Sequence, residues 1–241
     1  MELTPPNLPK EAARDWMLVF ALPDEARPFL ARWEQCVGQR PVRADPPGLP
    51  RAMARWQCGS TEVWACGMGP RNAARWAAVG LDGKQPRRLV TAGFAGALDP
   101  SLALGEVLVA ADPGYPAVQG ARLARFHCSE VIATTAADKT LLRARTGADA
   151  VEMESGVIRE ACRQRGIPSA TIRVVSDIAS EDLPLDFGSL MTRDDRLHFG
   201  KLAWRIARSP GLVRGLMRLQ RNTQLAGGNL AEVLVRHLAA D

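Results

Sequence analysis

Side chains that could carry chemistry are most concentrated in the stretch 150–179, AVEMESGVIREACRQRGIPSATIRVVSDIA. The local patterns place them at two element ends, the start of one helix and the end of the strand after it. They are three acids, a thioether, a guanidinium and a hydroxyl: Glu152, Met153, Glu154, Arg173, Ser176 and Asp177. This set suits a ligand made of a sugar and a nitrogenous base, because carboxylates accept hydrogen bonds from several hydroxyls.

Members of this set have a chemical and a structural interpretation. Glu154, at the head of a helix, could accept both hydroxyls of a ribose, and Met153 offers a polarizable contact to a sugar face. Asp177 follows an apolar β-run, and burial favours the protonated form of a carboxyl, which suits a proton donor to a leaving base. Core filling explains Met153 equally well, and capping together with Ser176 explains Asp177.

A further acid, Glu25, follows the first apolar run WMLVFAL (16–22) and lies in the segment ALPDEARPFL. Its chemical interpretation is a general base held at a strand end. Its structural interpretation is electrostatic, because Asp24 and Glu25 both favour the N-terminus of a helix. The sequence leaves the two interpretations open.

Two glycine-rich turns also follow apolar runs. The first, Gly67–Asn72 (GMGPRN), opens a helix, where backbone amides can face an anion and Arg71 can add a charged clamp. The second, Thr91–Leu98 (TAGFAGAL), lets a ligand approach the backbone closely because its residues are mostly small. We predict phosphate contacts for Arg71 and Gly93, and substrate contacts for three neighbours: Phe94, Ala95 and Gly96. The geometry of tight turns explains the glycines as well.

Cysteine usage and charge argue against several classes of protein. The chain has five cysteines and no CxxC pair, so we expect neither a disulfide framework nor a metal site. We expect no nucleophile and base at Cys128 and His127, because adjacent residues of a strand point to opposite faces. The net charge is +5, but the basic residues are scattered with few aromatic residues among them, so nucleic acid is not an expected partner.

The length of 241 residues fits a single domain, 1–241. No apolar run approaches the roughly 20 residues that span a bilayer. The start MELTPPNLPKEAARDW lacks the basic and apolar regions of a signal peptide. We therefore expect a cytoplasmic protein, with residues 1–15 as a loose N-terminal arm and residues 190–241 as C-terminal helices.

Short apolar runs alternate with helical patterns along the chain. Strands are predicted at 16–22, 52–58, 61–66, 88–93, 105–111, 131–134, 150–152 and 169–175. Helices are predicted at 24–33, 70–80, 136–145, 155–165, 196–207, 211–224 and 229–239. This alternation predicts an α/β fold with a mainly parallel sheet wrapped by helices, in which ligands bind beyond the carboxyl ends of the strands.

Five blocks of the sequence resemble, in order, those of the purine nucleoside phosphorylase and uridine phosphorylase superfamily. They are LVFALPDEARPFL, WACGMGPRNAARWA, LVTAGFAGALDPSLALGEVLVA, GADAVEMESGVIREAC and ATIRVVSDIASED, and they span about residues 16–182. The branch that they resemble most is that of 5′-methylthioadenosine/S-adenosylhomocysteine nucleosidase and futalosine hydrolase. The paired VEMES and RVVSD blocks carry the specific part of the resemblance.

The resemblance implies a three-layer α/β/α sandwich on a twisted, mixed, mostly parallel central sheet. It also implies a homo-oligomer, such as a dimer, that needs no cofactor, with phosphate as an optional co-substrate. The reaction that it implies is cleavage of the N-glycosidic bond of a purine nucleoside, with adenine as the expected base, through an oxocarbenium-like sugar.

On the nucleosidase pattern, Glu25 matches the acid that activates the attacking water. Met153 and Glu154 match the pair that binds the ribose, and Asp177 matches the acid that faces purine N7. Two further residues match supporting positions beside these acids: Ser176 and Arg173. With phosphate as the nucleophile, Arg71 and the amides around 93–96 would hold it instead, so the sequence leaves the nucleophile open.

The sequence also departs from the family pattern. Phe94 stands where many relatives carry a small or hydroxyl residue, Glu106 stands where aspartate is common, and no base-stacking aromatic residue aligns before Thr134. The spacing ATTAADKTLLRARTGADAVEMES also resembles the hopanoid-pathway phosphorylase that removes adenine from adenosylhopane. Apolar residues of the C-terminal third could border such a lipidic tail, or pack as an amphipathic helix: Trp204, Leu212, Leu216, Met217 and Leu219.

Two functions of other classes remain as alternatives. The first is a non-catalytic module that binds a nucleoside or nucleotide. The second is a protein that binds a membrane surface through its basic C-terminal helices, and such contact could coexist with catalysis if the substrate is a lipid.

Overall fold

Ten strands form one mixed sheet in the computed structural model, which describes residues 16–48, 50, 53–184 and 211–240. The strands are β1 (Trp16–Phe20), β2 (Val42–Arg43), β3 (Ala54–Cys58), β4 (Thr61–Ala65), β5 (Arg88–Ala97), β6 (Val107–Ala111), β7 (Arg122–Leu123), β8 (Phe126–Cys128), β9 (Ala150–Glu152) and β10 (Ser169–Asp177). The helices are α1 (Pro23–Val37), α2 (Pro70–Gly80), α3 (Ala136–Thr146), α4 (Ser155–Gln164) and α5 (Gly211–Ala239). The predicted arm 1–15 and the predicted helix 196–207 lie outside the described residues.

The strand order is β2-β3-β4-β1-β5-β10-β6-β7, and β9 joins the end of β5 with β8 beside it. The central strands β4, β1, β5 and β10 run parallel to their neighbours in this group. Antiparallel pairs lie toward both edges and where β9 meets β5. The predicted fold class, a mixed and mostly parallel sheet between helices, is confirmed.

Helices cover both faces of the sheet, and the alternation of side chains along β1 shows how. Leu18 and Phe20 pack into the core shared with α1 and α5, whereas Met17 and Val19 pack into the core shared with α2 and α4. Because successive residues of a strand point to opposite faces, one apolar strand supplies both cores. Because the central strands run parallel, their carboxyl ends lie at one edge of the sheet.

The strand predicted at 131–134 is wrong, and a strand forms earlier, at β8. The backbone of this segment bonds to groups outside the sheet: Val131 exchanges hydrogen bonds with the side chain of Ser129, and Thr134 accepts one from the amide of Leu183. Val131 is 73% exposed. The segment is therefore a loop, in which Val131 is exposed and the next two apolar residues, Ile132 and Ala133, are half-buried.

The break predicted between helices 211–224 and 229–239 is also wrong, because α5 continues through Gly227 and Gly228. Gly227 is buried against α1, where an added Cβ atom would lie 3.0 Å from Cγ of Pro28. This glycine allows close packing between helices and does not end the helix.

Although α5 has 29 residues, neither it nor another described helix carries an apolar stretch long enough to cross a bilayer.

The two adjacent glycines of α5 provide a matched pair of substitutions. We expect Gly227→Val to lower the free energy of unfolding by about 1–3 kcal/mol, because its side chain overpacks against the rigid ring of Pro28. We expect Gly228→Ala to raise it by about 0.5–1 kcal/mol, because this position is open and alanine favours a helix interior. Urea unfolding of both variants measures the difference, and equal effects would contradict the proposed packing.

Candidate active site

A cavity of about 150 Å³ opens at the carboxyl ends of the central strands. Ten of the twelve residues singled out from the sequence line it: Glu25, Phe94, Ala95, Gly96, Glu152, Met153, Glu154, Arg173, Ser176 and Asp177. They come from four separate parts of the chain, which meet because parallel strands end at the same edge. Arg71 and Gly93 are the two that do not line it.

Arg173 is the charged centre of the cavity, and it is only 1% exposed. Its Nη2 donates to Glu152 Oε2 at 2.6 Å and to Glu154 Oε2 at 3.4 Å, and its Nη1 donates to the carbonyl of Ala92 at 3.1 Å. A buried guanidinium needs such partners because an unpaired buried charge is very costly. Arg173 thereby fixes the positions of two acids from the neighbouring VEMES block.

Both carboxylate oxygens of Glu152 accept hydrogen bonds from other groups of the protein. Its carboxylate accepts from Arg173, from the amides of Glu154 and Ser155, and from the Ser155 hydroxyl. Burial opposes the charge, but Arg173 and the Ser155 donors still hold the pKa of Glu152 below its ordinary value. These contacts do not support the substrate contact predicted for Glu152, which instead holds Arg173 and the first turn of α4.

Glu154 connects the VEMES block to the first glycine turn. Its Oε1 accepts from the amide of Gly69 at 2.8 Å, and its Oε2 lies 3.4 Å from Arg173. Burial raises the pKa of Glu154, against the lowering effect of Arg173. Each carboxylate oxygen has two lone pairs, so both oxygens of Glu154 keep capacity for a ligand hydroxyl.

Glu25 lies in the first turn of α1, where its Oε2 accepts from the amide of Ala21 at 3.3 Å. Burial, and then the charge of Glu154, raise the pKa of Glu25 to about 8. The side chains of Glu25 and Arg173 converge over Gly93, where an added Cβ atom would overlap both. Gly93 therefore makes room for these two side chains, which accounts for its glycine without the predicted phosphate contact.

Asp177 lies farther along the same pair of strands. In the register of β10 with β5, Arg173 lies opposite Gly93 and Asp177 lies opposite Gly96, with a bulge between Val175 and Asp177. Gly93 and Gly96 are three residues apart, a span of roughly 10 Å. The Glu25–Arg173 end and the Asp177 end are thus separated enough for a sugar and a base to lie between them.

The carboxylate of Asp177 accepts a hydrogen bond at each oxygen. Ser176 Oγ donates to Oδ1 at 2.7 Å, and Lys139 Nζ lies 2.6 Å from Oδ2. Lys139 belongs to α3 and is completely buried. Lys139 was not among the residues singled out from the sequence, although a lysine in an arginine-rich chain, at a helical position that packs inward, is a signal that could have identified it.

One side of the cavity is apolar. It is formed by the loop that follows β8, with Val131, Ile132 and Ala133, and by Leu183 from the segment after β10. These contacts were not predicted, because residues 131–134 were expected to form a strand. This wall offers no hydrogen bonds from side chains and therefore favours an apolar group of the ligand.

Arg71 is exposed in the first turn of α2, outside the cavity lining. The Gly69 amide of the same turn is already bonded to Glu154. These placements do not support the phosphate site that the sequence predicts with Arg71.

Among the described residues, no group of three or more His, Cys, Asp or Glu side chains could hold a metal ion. Burial raises the pKa of Cys128 to about 12, so its thiol is a poor nucleophile.

Comparisons with known proteins agree with the fold. The sequence model of the family described as the phosphorylase superfamily matches residues 123–198. Futalosine hydrolase of Helicobacter pylori superposes with a TM-score of 0.63 at 14% identity, over 92% of this chain and 96% of its own. A 5′-methylthioadenosine/S-adenosylhomocysteine nucleosidase from Colwellia psychrerythraea, in complex with adenine, gives 0.63 at 20% identity over 94% and 95%.

A 5′-methylthioadenosine nucleosidase from Arabidopsis thaliana gives a TM-score of 0.65 at 12% identity, over 94% of this chain and 95% of its own. These similarities extend over nearly the whole of each chain, so they concern the complete fold. The resemblance drawn from the sequence is confirmed: the chain has the fold of the nucleosidases, and its segment 123–198 carries the sequence pattern of the phosphorylase superfamily.

Proposed function

We propose that the protein is an enzyme that cleaves the N-glycosidic bond of a purine nucleoside, with water as the nucleophile. The observation that carries this proposal is that Glu25, Glu154 and Asp177 line one cavity although they are distant in sequence. Similar structures include nucleosidases that act on 5′-methylthioadenosine and one solved with adenine. A binding module has no need of acids at both ends of its cavity, which argues against the non-catalytic alternative.

The sugar is held at the middle of the cavity by Glu154 and Met153. Glu154 offers an acceptor on each carboxylate oxygen to the ribose hydroxyls, and Met153 contacts the face of the ring. The Gly69 amide and Arg173 orient the Glu154 carboxylate before the ligand arrives. Such preorganisation keeps the reacting bond in a fixed place relative to the nucleophile.

In the proposed reaction the C1′–N9 bond breaks and its electron pair goes to the purine. Water adds to the anomeric carbon and loses a proton to Glu25. The purine gains a proton at a ring nitrogen next to Asp177. That proton comes from solvent and passes through the Asp177 carboxyl group, which Ser176 and Lys139 hold in place.

Charge favours water over phosphate as the nucleophile. Four carboxyl groups line the cavity, whereas the two cations among the described residues that contact them, Arg173 and Lys139, are already paired. A phosphate dianion would meet repulsion from those of these acids that are ionised, and Arg71 lies outside the cavity lining. Phosphorolysis is therefore the less favoured version of the same reaction.

The 5′ substituent of the nucleoside lies, in this proposal, against the apolar wall formed by residues 131–133 and Leu183. Such a wall suits a methylthio group and equally a lipidic tail such as that of adenosylhopane, whereas the charged end of S-adenosylhomocysteine would have to extend into solvent. Futalosine remains a further candidate through the structural similarity to its hydrolase. The rate at which the free base is released from each compound, measured under identical conditions, ranks these substrates.

The proposed setting is the cytoplasm, with the protein as a homodimer and without a cofactor. Contact with a membrane is proposed only for the case of a lipidic substrate. Light scattering measures the oligomeric state, and sedimentation with anionic vesicles measures membrane contact.

We expect the release of adenine from 5′-methylthioadenosine to proceed equally well with and without phosphate. The physical reason is the excess of acids over free cations at the cavity. The measurement is a coupled assay of adenine in phosphate-free buffer and in buffer with phosphate, with the sugar product identified as free or phosphorylated. Strict dependence on phosphate would overturn hydrolysis in favour of phosphorolysis.

We expect kcat/KM to rise with pH up to about 8 and then to level off. The proposed base, Glu25, acts only when ionised, and its raised pKa leaves it mostly protonated below that value. Below the pKa, each unit of pH should change kcat/KM about tenfold. The variant Glu25→Gln should lose this rising limb together with most of the activity, and a limb that persists unchanged in this variant would rule out Glu25 as the base.

We expect Asp177→Asn to lower kcat by about 10²–10⁴-fold, the usual contribution of a general acid or base. The protein should still fold, because the asparagine keeps an acceptor oxygen for Lys139. A matched control is Glu62→Gln, which changes the partner of Lys84 in another ion pair of 2.6 Å, away from the cavity. Kinetics and thermal unfolding of both variants separate the effects, and near-normal turnover of Asp177→Asn would refute its role.

A further inference from the structure

A second cavity, of about 490 Å³, is lined by residues of α4, β6, β8 and β10. None of the described residues that line it also lines the cavity of the candidate active site, here called the first cavity. Ser155 lines the second cavity and donates to Glu152, which lines the first, so the start of α4 separates the two. Sites for small molecules typically have volumes of about 300–1,000 Å³. The second cavity is therefore large enough for an organic ligand.

Positive charge predominates in the lining of the second cavity. It contains three arginines and one acid: Arg125, Arg159, Arg163 and Asp112. The first cavity has the opposite balance, with four carboxyl groups and one arginine in its lining. Opposite charges attract most strongly inside a cleft, where the walls exclude part of the solvent. The second cavity therefore favours an anion.

Arg159 is held in place from the sheet. Its Nη2 donates to Asp112 Oδ1, and Asp112 Oδ2 accepts from the amide and the hydroxyl of Ser169, both at 2.8 Å. A guanidinium has five N–H donors, and Asp112 is the only hydrogen-bond partner of Arg159 in the described part of the chain. Its Nε is buried without a partner among these residues. Because an unsatisfied buried donor is unfavourable, the contacts within the protein do not complete the surroundings of this guanidinium.

The other two arginines have partners outside the cavity lining. Arg163 Nη2 lies 2.9 Å from Glu160 Oε2, and Arg125 Nε lies 3.8 Å from Asp149 Oδ2. The side chains of Arg163 and Arg125 are 61% and 76% exposed, and ion pairs at such exposure contribute little to stability. Both guanidinium groups can therefore turn toward an anion in the cavity. The planar fork of a guanidinium matches the oxygens of a phosphate group.

We propose that the second cavity binds an organic phosphate. Its phosphate group lies at Arg159 and Arg163, and its apolar part packs against Phe126 and Pro113, which line the same cavity together with alanines 110, 111 and 124. Inorganic phosphate would fill only the charged side of this volume. A phosphate group bound here lies outside the first cavity, so it is a second ligand of the protein and not the nucleophile of the proposed reaction.

Calorimetry with the full chain measures the binding of phenyl phosphate and of inorganic phosphate. We expect phenyl phosphate to bind with a Kd of about 1 mM or below. It should bind more tightly than inorganic phosphate, because its ring adds apolar contacts, and its affinity should fall as salt screens the charges. No binding of either compound would overturn the proposal. Equal affinities would overturn the part that assigns an organic ligand.

Two neighbouring arginines provide a matched pair of variants. Arg163→Gln removes an exposed cation from the lining, and we expect it to weaken the binding of phenyl phosphate about tenfold. Arg165→Gln changes the net charge equally at the end of the same helix but lies outside the lining, and it should leave the affinity unchanged. Equal losses in both variants would show attraction to the surface charge in general, and no loss in Arg163→Gln would exclude this site.

A variant of the first cavity distinguishes the two cavities. Glu154→Gln removes a carboxyl group from the first cavity and should leave the binding of phenyl phosphate unchanged. A changed affinity would place the ligand in the first cavity and overturn the proposal. These experiments measure binding and not turnover, so their outcome does not depend on whether the protein cleaves a nucleoside.

Discussion

The candidate site depends on the burial of one charge, the guanidinium of Arg173, in the middle of a central strand. Removing one partner of such a buried pair typically costs about 3–5 kcal/mol, so the surrounding residues are constrained by it. Glu152 closes the ion pair and at the same time accepts from the first amides of α4, which ties the helix to the strand. Gly93 has to lack a side chain, because Arg173 and Glu25 occupy the space where a Cβ atom would lie. The buried charge therefore constrains which residues can occupy β10, position 93 of β5 and the start of α4 at this end of the cavity.

A second ion pair, between Lys139 and Asp177, forms the other end, and a local irregularity of β10 places it there. The bulge between Val175 and Asp177 shifts the register with β5 by one residue, which re-aims the side chains that follow. Asp177 then lies opposite Gly96, where an added Cβ atom would be 3.1 Å from its Oδ2. Gly93 and Gly96 of β5 therefore have the same structural role. Each lacks a side chain where a charged residue of β10, Arg173 or Asp177, occupies the space.

Much of this arrangement could be predicted from the sequence, because it follows from local patterns. Apolar alternation locates the central strands, and parallel strands bring their carboxyl ends together, so acids at those ends were expected to meet. The errors arise where a distant contact decides the outcome. The residues 131–134 have strand-like composition but bond to Ser129 and Leu183, and Gly227 resembles a helix end until Pro28 is seen against it. The inward-facing position of Lys139 in α3 is a local signal, but neither its pairing with Asp177 nor the bulge before Asp177 follows from a local pattern.

The balance of charge connects this geometry to the proposed reaction. A nucleoside is neutral in its ground state, whereas its sugar gains positive charge as the glycosidic bond breaks. In the proposed reaction, a cavity lined by four acids and balanced by two cations interacts more favourably with this developing charge than with the neutral ground state. Catalysis requires this difference, because only interactions stronger in the transition state accelerate the reaction. The pKa of Glu25, raised by burial and then by the charge of Glu154, makes it a proton acceptor of about the strength needed near neutral pH, when water loses its proton to it. The buried cations therefore do more than stabilise the fold, since they determine how much negative charge the cavity retains for the sugar.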